Sequence, residues 1–195
     1  MNIDAKLIHG RMLINGELAD SEGGELLESV NPATEVSLGY VPAASAADMD
    51  RAVAAAEAAQ PGWAALEPKE RSKLVRKVAQ ALRDNFDNIL RIEVVDTGNT
   101  ISKMRADVAT AGDTLDFYAG LATEIKGETI PASGKNLHFT IREPYGVVGR
   151  IIPFNHPIKF AANALAAPLV SGGLSTTQLP ATSGAASAFA ANLIG

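Results

Sequence analysis

An α/β fold is the class this sequence predicts, and three features predict it. Short β-type segments separated by turn residues open the chain over residues 7–41. Helical stretches with apolar faces follow between residues 45 and 125. From Glu143 onward, a short apolar run, a proline-bounded turn and a helix-length apolar run succeed one another. That last order is how α/β proteins place a polar side chain at the carboxyl end of a strand, where ligands bind.

In the first region, Leu13-Ile14 leads into Asn15-Gly16 and Glu17-Leu18 returns, the signature of a type I′ hairpin. Glu25 to Val30 alternates imperfectly, Asn31-Pro-Ala-Thr34 makes a turn, and Val36 to Val41 forms a further strand. Ser45 and Asp48 predict a helix N-cap with an acidic partner, and an Ala-rich helix runs to about Gln60 before Pro61-Gly62. Trp63, beyond that break, reads as a packing anchor.

Pro68 suits the first turn of the next helix, where Leu74, Val78, Leu82 and Phe86, with Val75 and Ile89, define a buried face. Lys73, Arg76, Lys77 and Arg83 lie away from it, and Glu67, Glu70, Asp84 and Asp87 flank them, which reads as a solvated surface. Gly98 closes this stretch. A further helix spans about Ser102 to Ile125, with Met104, Val108, Ala111, Leu115, Tyr118 and Leu121 inward. Gly127 to Pro131, a Ser133-Gly134 turn and the alternating Leu137 to Ile141 predict an exposed β-ribbon with His138 and Thr140 on one face. Val147 to Ile152 reads as a buried strand stopped by Pro153, and Ile158 to Val170 as a helix. Asn155, between two prolines, either caps that helix or faces a ligand.

Composition narrows the function. The chain has 195 residues, 47% hydrophobic and 20% charged, enough for a sizeable core. A net charge of −5 opposes nucleic acid and anionic membrane as partners. With 0 cysteines there is no disulfide, thiolate metal site or cysteine nucleophile in these residues. Neither a signal-peptide core nor a membrane-length apolar run occurs, so a soluble, cytoplasmic protein is expected. Dinucleotide Gly-x-Gly-x-x-Gly, Walker, His-Glu-x-x-His and Gly-x-Ser-x-Gly patterns are absent, and Ser183-Gly184 has no base beside it.

Pro144 to Pro157 reads PYGVVGRIIPFNHP. It resembles the Pro-x-Gly-Val-Val-x-x-Ile-x-Pro-(Trp/Phe)-Asn-x-Pro signature of the NAD(P)-dependent aldehyde dehydrogenase superfamily. Asn31-Pro-Ala-Thr-Glu35 with Gly39-Tyr-Val-Pro42 is similar to an earlier family pattern. The resemblance implies a partial Rossmann-like nucleotide-binding domain with an added β-ribbon for oligomerisation. It divides the chain into residues 1–122 (strands and helices of the cofactor-binding domain), 123–143 (the ribbon, joining a sheet in a neighbouring copy) and 144–195 (the start of an incomplete nucleotide-binding sheet). It further implies NAD or NADP as cofactor and a small aldehyde as substrate. Asn155 would donate to the oxyanion, while Ile151, Ile152, Pro153 and Phe154 would line the cofactor groove.

After Gly173 the resemblance weakens. Pro180 keeps its place, but Leu179 stands where the family carries a ribose-binding lysine and Thr182 where it carries a glutamate. Leucine neither donates a side-chain hydrogen bond nor carries charge. The family's nucleophilic cysteine and glutamate base are expected further along than this chain reaches, so the chain alone should not oxidise aldehydes. It would be an N-terminal portion prone to associate through its open sheet edge. The other reading is a non-catalytic assembly or nucleotide-binding scaffold of the same ancestry.

Overall fold

A computed structural model describes residues 8–178 of the chain. Strands β1 (Ile8–His9), β4 (Leu26–Val30) and β5 (Ser37–Pro42) form a sheet in the order β1-β5-β4, parallel at β1 and antiparallel at β4. Between them, β2 (Met12–Ile14) and β3 (Glu17–Ala19) make the expected hairpin, with φ of 55° at Asn15 and 75° at Gly16 as a type I′ turn requires. The turn after β4 is tied by its own asparagine, whose Oδ1 accepts from Ala33 N–H at 2.9 Å.

Helix α1 (Ala46–Ala64) starts with the predicted capping box between Ser45 and Asp48. Asp48 also accepts from Ser21 Oγ at 2.9 Å and from Glu22 N–H at 3.2 Å, so the cap fastens the helix to the chain after β3. Donation from Ser45 N–H, then the Arg51 guanidinium, holds its carboxyl well below the usual range. The expected stop at Pro61 does not occur. The helix runs through it, because Pro61 lies on an exposed face where water can satisfy the carbonyl it leaves unpaired. Trp63 is therefore inside the helix, and it is the expected anchor: its Nε1–H donates to Leu169 O at 2.9 Å.

The next helical stretch is two helices, α2 (Pro68–Asp84) and α3 (Phe86–Thr97), broken at Asn85, whose side-chain amide bonds back to Ala81 O at 3.0 Å. The buried face of α2 is Arg71, Val75, Ala79 and Leu82, so the stripe is rotated from Leu74 and Val78, which are only half-buried. Its basic face is not simply solvated. Arg76 meets Asp116 at 3.4 Å, and Arg83 meets Asp113 at 3.0 Å and Asp116 at 2.7 Å, all on α4 (Ile101–Gly120). Helix α4 ends five residues short of Ile125, and Ala119 O in its last turn accepts from Ser72 Oγ–H at 2.7 Å.

Four helices enclose the main core. Val75, Ala79 and Leu82 of α2, Ile89 and Leu90 of α3, Met104, Val108, Ala111 and Leu115 of α4, and Ile158, Ala162 and Ala166 of α5 (Pro157–Val170) are all buried in it. A smaller cluster of Leu38, Val41 and Ile92, with Leu27 and Val95, seats the N-terminal sheet on α3.

Strand β8 (Val147–Ile151), α5 and β9 (Leu174–Gln178) form a parallel β-α-β unit, with Val147 opposite Leu174 and Ile151 opposite Gln178. The expectation that Val147–Ile152 is a buried strand is corrected. Val147 and Val148 are half-buried, Gly149 to Ile151 are exposed, and only Ile152 beyond the strand is covered. Strand β8 pairs with β9 alone among the described residues, so its far edge and the Ile151 face carry no neighbour. The ribbon exists as β6 (Thr129–Ile130) and β7 (His138–Phe139), antiparallel and exposed on both faces. Among the described residues, no helix is long and apolar enough to cross a membrane.

Candidate functional site

Pro153, Phe154 and Asn155 form an exposed turn at the carboxyl end of β8, immediately before α5. Asn155 does not cap that helix. The capping position is His156, which makes no side-chain capping bond, and Pro157 occupies the first helical position, where its missing N–H costs nothing. Ile151 is 84% exposed and Phe154 58%, whereas Ile152 is buried at 6%. Neighbouring isoleucines thus point to opposite sides, as alternation along a strand dictates. Leu179 and Thr182 lie outside the described residues.

Beneath the turn, side chains of α3, α4 and the segment joining them grip successive residues. Asn99 Nδ2–H donates to Asn155 O at 3.1 Å, and Asn99 is itself set by bonds from its backbone N–H and its amide to Thr97 Oγ1, at 3.2 and 3.1 Å. Asp107 Oδ2 takes the Nδ1–H of His156, and its Oδ1 lies 3.4 Å from Lys159 Nζ. Glu93 Oε1 accepts from Ile158 N–H at 3.1 Å, supplying a partner to one of the donors that a helix start leaves open. The His156 ring also meets Phe160 edge-on at 5.9 Å.

Glu93 is fully buried at 0% exposure, and its Oε2 has no hydrogen-bond partner among the described residues. Burial pushes its carboxyl up to about 8. The Ile158 N–H works against that shift, and the charges of Asp96 and Asp107 add to it. The native state therefore keeps this proton while the unfolded chain releases it above about 4.5. Stability from the buried neutral acid is complete below that value and falls as pH rises toward about 8. Asp48 acts oppositely and in a separate window: its contribution is complete above about 3.8 and is lost as pH falls below that value. We expect Glu93→Gln, which keeps the acceptor for Ile158, to flatten the decline. The wild-type slope should approach at most about 1.4 kcal/mol per pH unit in this range. Urea midpoints of both proteins across the window check it, and equal slopes would refute the assignment.

Sequence reasoning did not find Glu93, Asn99 or Asp107. The signal was there for two of them. Glu93 follows Ile89 by four positions, and Asp107 sits between Met104 and Val108 on the apolar stripe of α4. A charged residue inside an apolar stripe needs a buried partner. Asn99 has no such signature. A cavity of about 240 Å³ bordered by Ala64, Arg71, Ala122, Ile125, Pro144 and Gly172 shares no lining residue with the turn.

A parallel β-α-β unit with an exposed amide at the strand's carboxyl end, backed by a helical layer, defines an α/β protein of the nucleotide-binding kind. Comparison with known proteins makes this specific. Residues 18–193 match the aldehyde dehydrogenase family, and the chain belongs to it. Among solved structures, it is similar to a mutant aldehyde dehydrogenase from Bacillus cereus, at 32% identity and a TM-score of 0.91, over 100% of this chain and 41% of that one. It is also similar to PnpE in complex with nicotinamide adenine dinucleotide (29% identity, TM-score 0.92, 96% of this chain and 39% of that one). An NADP-dependent enzyme from E. coli matches at 28% identity and a TM-score of 0.90, over 98% of this chain and 40% of that one. The chain thus spans about two fifths of the length of the structures it resembles.

Proposed function

We propose that this chain provides the opening part of the cofactor-binding domain of an NAD(P)-dependent oxidoreductase that converts an aldehyde to a carboxylic acid, working in the cytoplasm. The observation that carries the reading is the exposed Asn155 amide, in a turn held from beneath by Asn99, Asp107 and Glu93. A donor aimed at a developing oxyanion is effective when it needs no reorganisation during the reaction. Asn155 would supply that donor. The cofactor fits the same end of the strand. Ile151 and Phe154 present apolar surface beside the amide, where a nicotinamide ring could rest and water be excluded. When bound, NAD(P) supplies the hydride acceptor. Pro153 would fix the turn's entry, and Ile152 would contribute backbone alone, since its side chain is buried. By position only, Leu179 and Thr182 would face the adenosine ribose. Similarity to one protein in complex with nicotinamide adenine dinucleotide and to one NADP-dependent enzyme supports both cofactors equally.

In the same proposal, residues 1–122 form the helices and first sheet of the domain, 123–143 the oligomerisation ribbon, and 144–195 the start of the nucleotide-binding sheet. The ribbon's exposed Leu137, Phe139 and Ile141 support a homo-oligomer in which a second copy covers them. With 0 cysteines, the chain has no thiolate to attack a carbonyl, and we expect no aldehyde-dependent reduction of NAD(P) from it alone. The count also favours a second reading, a nucleotide-binding or assembly scaffold without chemistry of its own.

Titration calorimetry of the chain with NAD and with NADP separates a cofactor-binding chain from an assembly scaffold that binds no nucleotide. Saturable one-site binding supports the cofactor domain. No binding by folded protein leaves the assembly scaffold. A rise in 340 nm absorbance (the reduced-nicotinamide band) on adding an aldehyde and NAD(P) would overturn the requirement for an external thiol.

A further inference from the structure

Two prolines do not by themselves fix Asn155. Pro153 and Pro157 set their own φ angles near the value their rings impose, and Pro157 keeps His156 out of the helical region, but the torsions of Phe154 and Asn155 stay free. Something else must hold them, since Phe154 is exposed and Asn155 has its side chain in solvent. Two contacts reach these residues from the helical layer. One is Asn99 on the Asn155 carbonyl, and the other is Asp107 on the His156 ring. Asp107 is the stronger hold. It is 7% exposed at the side chain, sits on α4 between core residues Met104 and Val108, and engages a ring that is itself only 16% exposed. A bond to a carboxylate is roughly twice as strong as one between neutral groups.

We propose that Asp107, acting through the His156 ring, is a positioning residue for the Asn155 amide. The carboxylate takes the Nδ1–H and fixes both tautomer and ring plane. With the ring fixed, the peptide joining Asn155 to His156 cannot turn, and Asn99 holds the carbonyl of that same peptide. The geometry assigns Lys159 a lesser part: its ammonium neutralises the other oxygen of Asp107 at 3.4 Å and is 37% exposed. This inference rests on the reading of Asn155 as oxyanion donor for its meaning, but not for its test.

The test is nitrogen-15 relaxation on the whole chain, comparing wild type with Asp107→Ala, Asp107→Asn and His156→Gln. In wild type the backbone order parameter at Asn155 should lie near the rigid value of about 0.85, and in Asp107→Ala it should fall below about 0.6. The side-chain amide signals of Asn155 should move, while the amides of Val75, Ala79 and Leu115 keep their order parameters. Asp107→Asn retains an acceptor for the ring N–H, and His156→Gln retains a donor for the carboxylate, so both should recover most of the rigidity. The proposal is overturned if Asn155 stays rigid in Asp107→Ala, or if the core amides loosen as much as the turn. Wild-type protein that binds neither NAD nor NADP refutes the cofactor reading and leaves the relaxation result intact.

Discussion

Arg71→Met lowers the unfolding free energy by about 3–5 kcal/mol, since the carbonyls it leaves lose bonds to a charged donor worth about 1.5–3 kcal/mol each and not fully additive. Arg71 is 7% exposed, and among the described residues its guanidinium meets no carboxylate. Its hydrogen bonds go to carbonyls instead: Nε–H to Val170 O at 3.2 Å, and Nη1–H to Ala64 O at 3.2 Å and to Leu66 O. Val170 is the last residue of α5, and Ala64 is the last residue of α1. One cation therefore serves the carboxyl ends of two helices, where the peptide dipoles sum to partial negative charge and the last carbonyls lack partners within the helix. Methionine keeps most of the side-chain volume, so the loss reports the hydrogen bonds rather than a cavity. A drop in urea midpoint at constant m measures it, and Arg71→Lys should fall between the two. A loss below about 1 kcal/mol would mean that water from the adjoining cavity satisfies the carbonyls as well as the arginine does.

Gly98→Val is the second large effect, expected at about 2–5 kcal/mol. Gly98 has φ of 71°, the left-handed region that ends α3, and a side chain there costs about 1–2 kcal/mol before any contact is considered. Contact is also severe, since a Cβ at this position would come within 2.7 Å of Pro32 Cγ. The proline ring belongs to the turn after β4 and has little room to yield, which adds overpacking of about 1–3 kcal/mol. Gly24 is the control. Its φ is 66°, but a Cβ there meets nothing within 4 Å, so Gly24→Ala should cost only the conformational part. Equal losses at the two sites would dismiss the Pro32 contact as a source of strain.

The readable parts of the sequence were those whose signal is local. Asn15-Gly16 specifies its turn because few other dipeptides tolerate two positive φ angles. Ser45 and Asp48 specify a helix start because each satisfies a donor of the other. The Asn155 turn was legible for the same reason, bounded by prolines between an apolar strand and an apolar helix. Depth was harder to read. Periodicity sorts residues by hydrophobicity, so Arg71, Glu93 and Asp107 were passed over although all three lie on buried faces. Their burial depends on carbonyls, an amide and an imidazole far along the chain. The exposure of β8 was equally illegible, because a valine-rich run looks the same whether or not another layer covers it.

The small N-terminal sheet has a bearing on how far this chain can be trimmed. Pro32 rests against Gly98, Ser29 Oγ–H donates to Asp96 at 2.6 Å, and Leu38 and Val41 pack on Ile92, so the last turn of α3 is seated on β4 and β5. The residue after that turn is Asn99, which holds the carbonyl of Asn155. A shorter protein beginning at α1 would keep every residue of the β-α-β unit and still unseat the platform on which its exposed Asn155 turn stands. Grafting this unit onto another scaffold would then mean carrying over both ends of the sequence, with the opening strands as its foundation.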